Sequence, residues 1–146
     1  MSENCKTLSF EFFPPNTDST MLTLIDLAKE FESIPAKYFS ITFSGRGSAQ
    51  KETFNTVESL SNSTKIPIAP TISGIGLDSD LVQNILSKYK ERGIKKILVF
   101  RGDLPSKSLK TGDFPYAVNL LDFIFKNFGN YFETHTHTKK IQSTET

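Results

Sequence analysis

Apolar and polar residues follow two different periods along this chain, and the two periods alternate. Short apolar or aromatic runs, typical of buried strands, cover residues 7–13, 38–44, 67–73 and 96–100. A fifth strand is predicted to start at Tyr131 and Phe132. Between the strands, apolar residues recur at helical spacing, which predicts helices with one buried face. Pro70 weakens the third strand prediction, because proline donates no hydrogen bond to a sheet.

Residues that start or stop helices divide the helical stretches into four. We expect Asp18 or Ser19 to cap the first helix. Ser48 is expected to cap the second helix and Asp78 the third. The fourth helix is predicted over residues 115–128, with Pro115 near its first position. The faces predicted to be buried in the first and fourth helices comprise Met21, Leu22, Leu24, Ile25, Leu27, Ala28 and Phe31, and Ala117, Val118, Leu120, Leu121, Ile124, Phe125 and Phe128.

Four strand–helix units in series predict an α/β fold with a parallel sheet, since parallel neighbours need a crossover of about this length. Two architectures fit this order: a doubly wound open sheet and a (β/α) barrel, which is complete with eight units and about 250 residues. We expect residues 1–133 to form the globular part. Residues 134–146 are polar and without periodicity, so a disordered tail is expected there. His135 and His137 could share a metal on a strand, but without a third ligand a solvated tail is favoured.

Composition narrows the classes of function. The chain has 146 residues, 37% of them hydrophobic and 23% charged, which is a globular composition. Seventeen basic and sixteen acidic residues leave a formal charge of +1, so neither a nucleic-acid partner nor an anionic membrane is expected. The single cysteine excludes an intramolecular disulfide. No apolar run reaches the roughly 18 residues that span a bilayer, and we expect a cytoplasmic protein.

One polar residue stands at or near the end of each predicted strand. These residues are Glu11, Thr42, Ser73 and Asp103, separated by 31, 31 and 30 positions. The carboxyl ends of parallel strands meet at one rim, which is where α/β folds place their sites. Two carboxylates and two hydroxyls on one rim form a candidate acid/base group.

Glu11 is the most informative of these residues. Strand alternation puts it on one face with Ser9 and Phe13, while Phe10 and Phe12 point to the other face. We expect aromatic surface around the carboxyl, which would penalise its charged form and suit a general acid near neutral pH. The alternative is an exposed glutamate on an edge strand.

Two further motifs leave alternatives open. Asp103 belongs to an Arg-Gly-Asp segment, which is either part of the site or a strand-ending turn with Arg101 paired to Asp103. The turn Gly45-Arg46-Gly47-Ser48 precedes a helix and could hold an anion through its backbone N–H groups. It lacks the spacing of the known phosphate-binding loops, so a plain turn is favoured there.

Four segments together resemble the methylenetetrahydrofolate reductase family. They read Ser-Phe-Glu-Phe-Phe-Pro-Pro (9–15), Ile-Thr-Phe-Ser-Gly-Arg-Gly-Ser (41–48), Val-Phe-Arg-Gly-Asp-Leu-Pro (99–105) and Phe-Pro-Tyr-Ala (114–117). Order and spacing agree over about residues 8–128. The resemblance implies the N-terminal half of a (β/α)8 barrel that carries FAD. The implied reaction of one-carbon metabolism passes a hydride from NAD(P)H to FAD and then to 5,10-methylenetetrahydrofolate, giving 5-methyltetrahydrofolate.

The resemblance also implies roles for single residues. Glu11 matches the general acid that protonates a folate nitrogen, so that the five-membered ring opens to an iminium. Asp103 matches a carboxylate beside the flavin and the folate. The flavin-contacting positions are matched by Thr42, Phe43, Thr71, Arg101, Gly102, Asp103 and Tyr116. Departures from the family pattern are Thr71 in place of His, Phe43 in place of Tyr, and Ser44 and Arg46 each in place of Gly.

Only about four of the eight units are present, which leads to three hypotheses. The first is a truncated reductase that is weakly active or inactive alone. The second is a non-catalytic half-barrel that works through its open strand edges, as an oligomer or with a complementing C-terminal half. The third is a small open-sheet domain that binds a phosphate ligand at residues 45–48.

Overall fold

Strands and helices alternate strictly in the computed structural model, which describes residues 8–43, 47–103 and 110–136. The strands in this part are β1 (Leu8–Phe12), β2 (Ala36–Ile41), β3 (Ile68–Ser73), β4 (Lys96–Phe100) and β5 (Glu133–His135). The helices are α1 (Asp18–Phe31), α2 (Gly47–Ser63), α3 (Ser79–Glu91) and α4 (Ala117–Phe128). The predicted α/β class is confirmed.

The sheet has the order β1-β2-β3-β4-β5, and every neighbouring pair is parallel. A doubly wound sheet reverses its strand order at a switch point, and this one does not. Sequential parallel strands with right-handed crossovers place all the helices on the same face. The architecture is therefore a partial (β/α) barrel, as the resemblance implied.

The other face of the sheet, which we call the inner face, is concave. Tyr38 on β2 and His135 on β5 approach to 5.8 Å between ring centroids, although β3 and β4 lie between their strands. In a flat sheet, strands three places apart would be about 14 Å apart. The sheet therefore curls around the inner face, as in a barrel wall.

The hydrophobic core lies between the sheet and the helices. Alternate strand residues, among them Phe12, Phe39 and Ile41, are buried there against helix side chains. Phe31 of α1 stacks on Phe10, with ring centroids 4.6 Å apart. The inner-face residues opposed in register are Ser9 and Tyr38, Glu11 and Ser40, Thr71 and Leu98, Ser73 and Phe100, and Lys96 and Glu133.

The helix starts differ from the predictions in three of four cases. The cap of α1 is Thr17, whose hydroxyl accepts from the N–H of Thr20, and neither Asp18 nor Ser19 has this role. Helix α2 begins at Gly47, one residue before the predicted cap. Helix α4 begins at Ala117, so the proline at 115 precedes the helix. The prediction of Asp78 is confirmed, since its carboxylate accepts from the N–H of Leu81 at 2.8 Å.

Two strand predictions are refined by the pairing. Pro70 is inside β3, where residues 68–70 pair with β2 and residues 71–73 pair with β4, so the missing donor falls before the β4 pairing begins. Strand β5 reaches His135, past the boundary expected at Glu133, because its backbone pairs with Lys96–Leu98. The segment 137–146 lies outside the described residues.

Four side chains predicted to be buried are exposed instead. Leu22 on α1 and Val118 and Phe125 on α4 are more than half exposed, and Leu27 on α1 is 38% exposed. Helices α1 and α4 are the first and last along the wall, so each has a helix neighbour on one side only within the described part. Their apolar stripes are wider than the core that covers them. No helix among the described residues is both long and apolar enough to cross a membrane.

Candidate active site

The rim at the carboxyl ends of the strands brings Glu11 and Thr42 together. The Thr42 hydroxyl lies 3.3 Å from Glu11 Oε1 and 3.4 Å from the carbonyl oxygen of Phe12. Its single proton therefore has two acceptors. Thr42 is itself fixed from both sides: its N–H donates to Phe12 at 3.1 Å, and its carbonyl accepts from the Thr53 hydroxyl at 3.3 Å.

Glu11 points from the inner face and is exposed. It lines a cavity of about 140 Å³ together with Ser9, Tyr38, Ser40, Leu98 and Phe100. The aromatic side chains expected around it, those of Phe10, Phe12 and Phe13, do not surround it, because Phe10 and Phe12 turn to the helix side and Phe13 is exposed. The carboxyl is therefore placed by the rim and by the Thr42 hydroxyl, and its neighbours in sequence do not enclose it.

The ends of β3 and β4 are joined by a close approach. The Ser73 hydroxyl donates to the carbonyl of Arg101 at 3.0 Å, and the N–H of Ile75 donates to the same carbonyl at 3.0 Å. Gly102 has φ of +80°, and a Cβ at this position would overlap the Ser73 hydroxyl. The turn after β4 therefore requires glycine both for its backbone conformation and for space.

Further hydrogen bonds connect the loops that follow these two strands. The N–H of Gly76 donates to Thr111 at 2.7 Å, and the Asp113 carboxylate accepts from both the N–H and the hydroxyl of Ser79 at 2.8 Å. Both bonds lower the pKa of Asp113, and the bond from the Ser79 hydroxyl has the larger effect. The carboxylate also faces the N-terminus of α3, where a negative charge is favoured. The β3 and β4 side of the rim is thus held as one unit.

Arg101 and Tyr116 form a second pair at this rim. The Arg101 Nε donates to the carbonyl of Pro115 at 2.8 Å, and its guanidinium lies 5.8 Å from the centroid of the Tyr116 ring. The ring is 62% exposed. Among the described residues, Arg101 forms no ion pair with Asp103, so the alternative of a paired Arg–Asp turn is not what the structure shows. Asp103 is exposed at the end of the turn.

Thr71 and Phe43, both predicted to contact a cofactor, have opposite surroundings. Thr71 is buried on the inner face, and its hydroxyl has no hydrogen-bond partner among the described residues. Phe43 packs against the hydrophobic core and borders a cleft between α2 and α3. The structure therefore places Thr71 on the face of Glu11, and it places Phe43 on the helix side.

Sequence reasoning missed an ionic cluster at the other end of the inner face. Lys96 is 3.2 Å from Glu133, and Glu133 is 2.9 Å from the His135 ring. The hydrogen bond from Lys96 is the main cause that lowers the pKa of Glu133. The signals available in the sequence were the lysine at the start of β4 and the polar residues 133–135. His137, Gly45 and Arg46 lie outside the described residues, within which no group of three His, Cys, Asp or Glu side chains could hold a metal.

Comparison with known proteins decides the family. The family model of methylenetetrahydrofolate reductase matches residues 1–138. This chain belongs to the methylenetetrahydrofolate reductase family. The 5,10-methylenetetrahydrofolate reductase of Pectobacterium carotovorum is 29% identical over 143 residues, which are 93% of this chain and 47% of that protein. That of Escherichia coli K12 is 28% identical over 142 residues, again 93% and 47%.

A eukaryotic relative matches a smaller share of this chain, and the match is a smaller share of that protein. Methylenetetrahydrofolate reductase 2 of Schizosaccharomyces pombe is 30% identical over 129 residues, which are 85% of this chain and 20% of that protein. The chain spans about half the length of the bacterial reductases it matches. In this member of the methylenetetrahydrofolate reductase family, Glu11, Thr42, Ser73 and the 101–103 turn share one rim of the barrel wall.

Proposed function

We propose that this chain takes part in the reduction of 5,10-methylenetetrahydrofolate to 5-methyltetrahydrofolate, with FAD passing a hydride from NAD(P)H. One observation carries the proposal: the carboxyl of Glu11, held by the Thr42 hydroxyl, opens on the same rim as the turn of Arg101, Gly102 and Asp103. A substrate that gains a proton and becomes cationic requires an acid and a second carboxylate close together, and this rim has both.

The residues at this rim fit a flat, polar cofactor such as FAD. The buried Thr71 hydroxyl lacks a partner, and a bound group with a hydrogen-bonding atom would supply one. The exposed Tyr116 ring, with the Arg101 guanidinium beside it, offers a planar surface. We propose that Thr42, Thr71, Arg101, Gly102 and Tyr116 hold the cofactor. Phe43 faces the helix side and is not part of this group. The FAD supplies hydride transfer when it is bound.

We propose that Glu11 is the proton donor to the substrate. The hydrogen bond from Thr42 engages one carboxyl oxygen, Oε1, and leaves Oε2 to carry the proton. The inner-face cavity beside the carboxyl gives the donor access to a substrate nitrogen. The proton makes the substrate positively charged. When the C–N bond at the protonated nitrogen breaks, its electron pair goes to that nitrogen and the positive charge stays on the iminium, where the negative charge of Asp103 on the same rim stabilises it.

The proposed site is built from about half of the length of the bacterial reductases. We therefore expect the chain by itself to bind FAD weakly and to turn over slowly or not at all. Saturating FAD and high protein concentration are needed in any assay. Flavin bound one to one with rapid turnover would contradict this expectation of weak activity.

The test separates the two half-reactions. With Glu11→Gln, we expect the reduction of folate to fall about 10²-fold or more, because general acids contribute about this much. Reduction of FAD by NADH, followed with menadione as electron acceptor, should be unchanged, since it needs no proton from Glu11. Glu30→Gln on α1 is the matched control, because Glu30 is exposed and lies on the helix layer. Equal losses in both half-reactions would refute the proposed role.

A second function is favoured by a different observation. Large apolar side chains are exposed on α1 and α4, with Leu22 at 64%, Val118 at 66% and Phe125 at 55%. No large apolar side chain is comparably exposed on the described parts of α2 and α3. Strands β1 and β5 are also the edges of the described sheet. We propose as the alternative that the chain is an assembly module that pairs through these flanking surfaces with a second copy of itself or with a complementing half.

Light scattering on the purified chain tests this alternative. We expect a dimer or larger species, and the double substitution Val118→Ser with Phe125→Ser should shift it towards the monomer. These two residues are seven positions apart and therefore share one side of α4. Asn84→Ser on the exposed side of α3 is the control and should leave the mass unchanged. A monomer at all concentrations of the wild-type chain would argue against assembly.

A further inference from the structure

A second cavity, separate from the one beside Glu11, lies between α2 and α3 on the helix side of the sheet. This α2–α3 cleft has a volume of about 420 Å³. It is three times the volume of the cavity beside Glu11, at about 140 Å³. Cavities of this size are in the range that holds small organic ligands. Neither the acid–base group nor the proposed cofactor contacts use it.

The wall of the cleft is aromatic. Phe54 of α2 and Tyr89 of α3 stack with centroids 5.6 Å apart and planes inclined by 21°. The guanidinium of Arg92 lies 4.1 Å from the Phe54 centroid, and the Lys88 ammonium lies 5.9 Å from it. Arg92 thus covers part of the Phe54 ring. Aromatic surface with cations on it and beside it suits a ligand that has an aromatic ring and a negative charge.

The charges that line the cleft are mostly positive. They are the cations of Lys51, Lys88 and Arg92 and the single carboxylate of Glu58. Arg92 is bound to Glu58 at 3.1 Å, so this pair is internally neutral. Neither Lys51 nor Lys88 forms an ion pair with any described residue. The cleft therefore has a local positive excess on a chain whose formal charge is only +1.

The hydroxyl of Tyr89 points to the same kind of ligand. Tyr89 lines the cleft, and its hydroxyl is a hydrogen-bond donor. Burial raises the pKa of Tyr89, so the group stays a neutral O–H donor at physiological pH. An anionic oxygen in the cleft would satisfy this donor.

We propose that the α2–α3 cleft is a binding site for an aromatic anion, meaning a planar ring that carries a phosphate or carboxylate group. The ring contacts the wall formed by Phe54 and Tyr89. The anionic group is attracted by the unpaired cations of Lys51 and Lys88, and the Tyr89 hydroxyl donates a hydrogen bond to it. This site lies on the helix side and is distinct from the rim proposed for FAD and folate.

Calorimetric titration of the full chain with 1-naphthyl phosphate tests the proposal. We expect it to bind at least tenfold more tightly than either 1-naphthol, which lacks the charge, or inorganic phosphate, which lacks the ring. Lys88→Gln and Tyr89→Phe should each weaken binding about 5- to 10-fold, the usual effect of losing one charged or hydrogen-bonding contact. Tyr89→Phe keeps the ring, and Lys88 is exposed, so both variants should fold.

Lys95→Gln is the matched control. The Lys95 ammonium also lies near a ring, 4.7 Å from the Tyr131 centroid, but Lys95 does not line the cleft. Its loss should change the affinity less than twofold. Equal binding of naphthol and naphthyl phosphate would overturn the proposal, and so would equal effects of Lys88→Gln and Lys95→Gln. Binding that survives Tyr89→Phe unchanged would overturn the role of the hydroxyl.

Discussion

The unpartnered hydroxyl of Thr71 offers a substitution whose effects on stability and on binding should have opposite signs. Thr71 is 7% exposed on the inner face, and its Oγ1 is buried without a hydrogen-bond partner among the described residues. Thr71→Val replaces this hydroxyl by a methyl group of nearly the same size. The side chain keeps its shape and its β-branched preference for a strand.

The expected magnitude follows from the missing partner. A buried hydroxyl without a hydrogen bond costs about 1–3 kcal/mol, and that cost disappears with the hydroxyl. We therefore expect Thr71→Val to raise the free energy of unfolding by about 1 kcal/mol, or the melting temperature by about 3–6 °C. If the hydroxyl binds FAD as proposed, the same change should weaken FAD binding by about 5- to 10-fold.

Thr56→Val is the matched control for this prediction. Thr56 is also buried, but its hydroxyl donates to the carbonyl of Glu52 at 2.7 Å. Removal of this bond should lower the free energy of unfolding by about 0.5–1.5 kcal/mol and leave FAD binding unchanged. Urea unfolding followed by circular dichroism gives the stabilities, and quenching of FAD fluorescence gives the affinities.

The two variants should thus move stability in opposite directions. If Thr71→Val is destabilising to the same degree as Thr56→Val, the Thr71 hydroxyl has a partner after all and the argument from its burial is wrong. If Thr71→Val stabilises the chain but leaves FAD binding unchanged, the hydroxyl is unpartnered but does not contact the cofactor.

Two further substitutions test how the rim is held. Gly102→Ala should destabilise the chain by at least about 1 kcal/mol more than Gly93→Ala, measured by urea unfolding. Both glycines have positive φ, but only a Cβ added at Gly102 would meet Ser73. Equal losses of stability would show that this overlap relaxes at no cost. Asp113→Asn should lower the melting temperature at pH 7, because Asp113 has a lowered folded pKa that favours its charged form. The stabilisation by the charged Asp113 is fully present above the pKa of 3.8 in the unfolded chain, and it is lost as the pH falls through the lower pKa of the folded chain. The melting temperatures of the wild type and the variant should therefore converge below about pH 4. A constant difference between pH 7 and pH 3 would contradict it.

The order of elements and the faces of β1 could be predicted from the sequence because both depend on local periods. Alternation correctly placed Glu11 opposite Phe10 and Phe12. The environment of Glu11 could not be predicted, since it is made by Tyr38 and Phe100 on other strands. Alternation states which way a side chain points, and only the curl of the sheet decides what it meets.

Helix boundaries and helix burial failed for two different physical reasons. Thr17, Asp18 and Ser19 are adjacent residues that can all cap a helix, and the reciprocal hydrogen bonds with Thr20 select the first. Val118 and Phe125 fit the apolar stripe of α4, but a stripe does not reveal whether a neighbouring element covers it. Similarly, the α2–α3 cleft joins residues of two helices far apart in sequence, so no motif marks it.

The two faces of the sheet carry different kinds of side chain, which explains why stability and chemistry can be separated in this protein. Barrel interiors are usually filled by bulky Val, Ile and Leu side chains, yet this inner face carries Ser9, Tyr38, Ser40, Thr71 and Lys96. The apolar residues that stabilise the fold lie instead on the helix side. Substitutions on the inner face should therefore change binding and proton transfer with small losses, or gains, in stability, and Thr71→Val is the case in which a gain is expected.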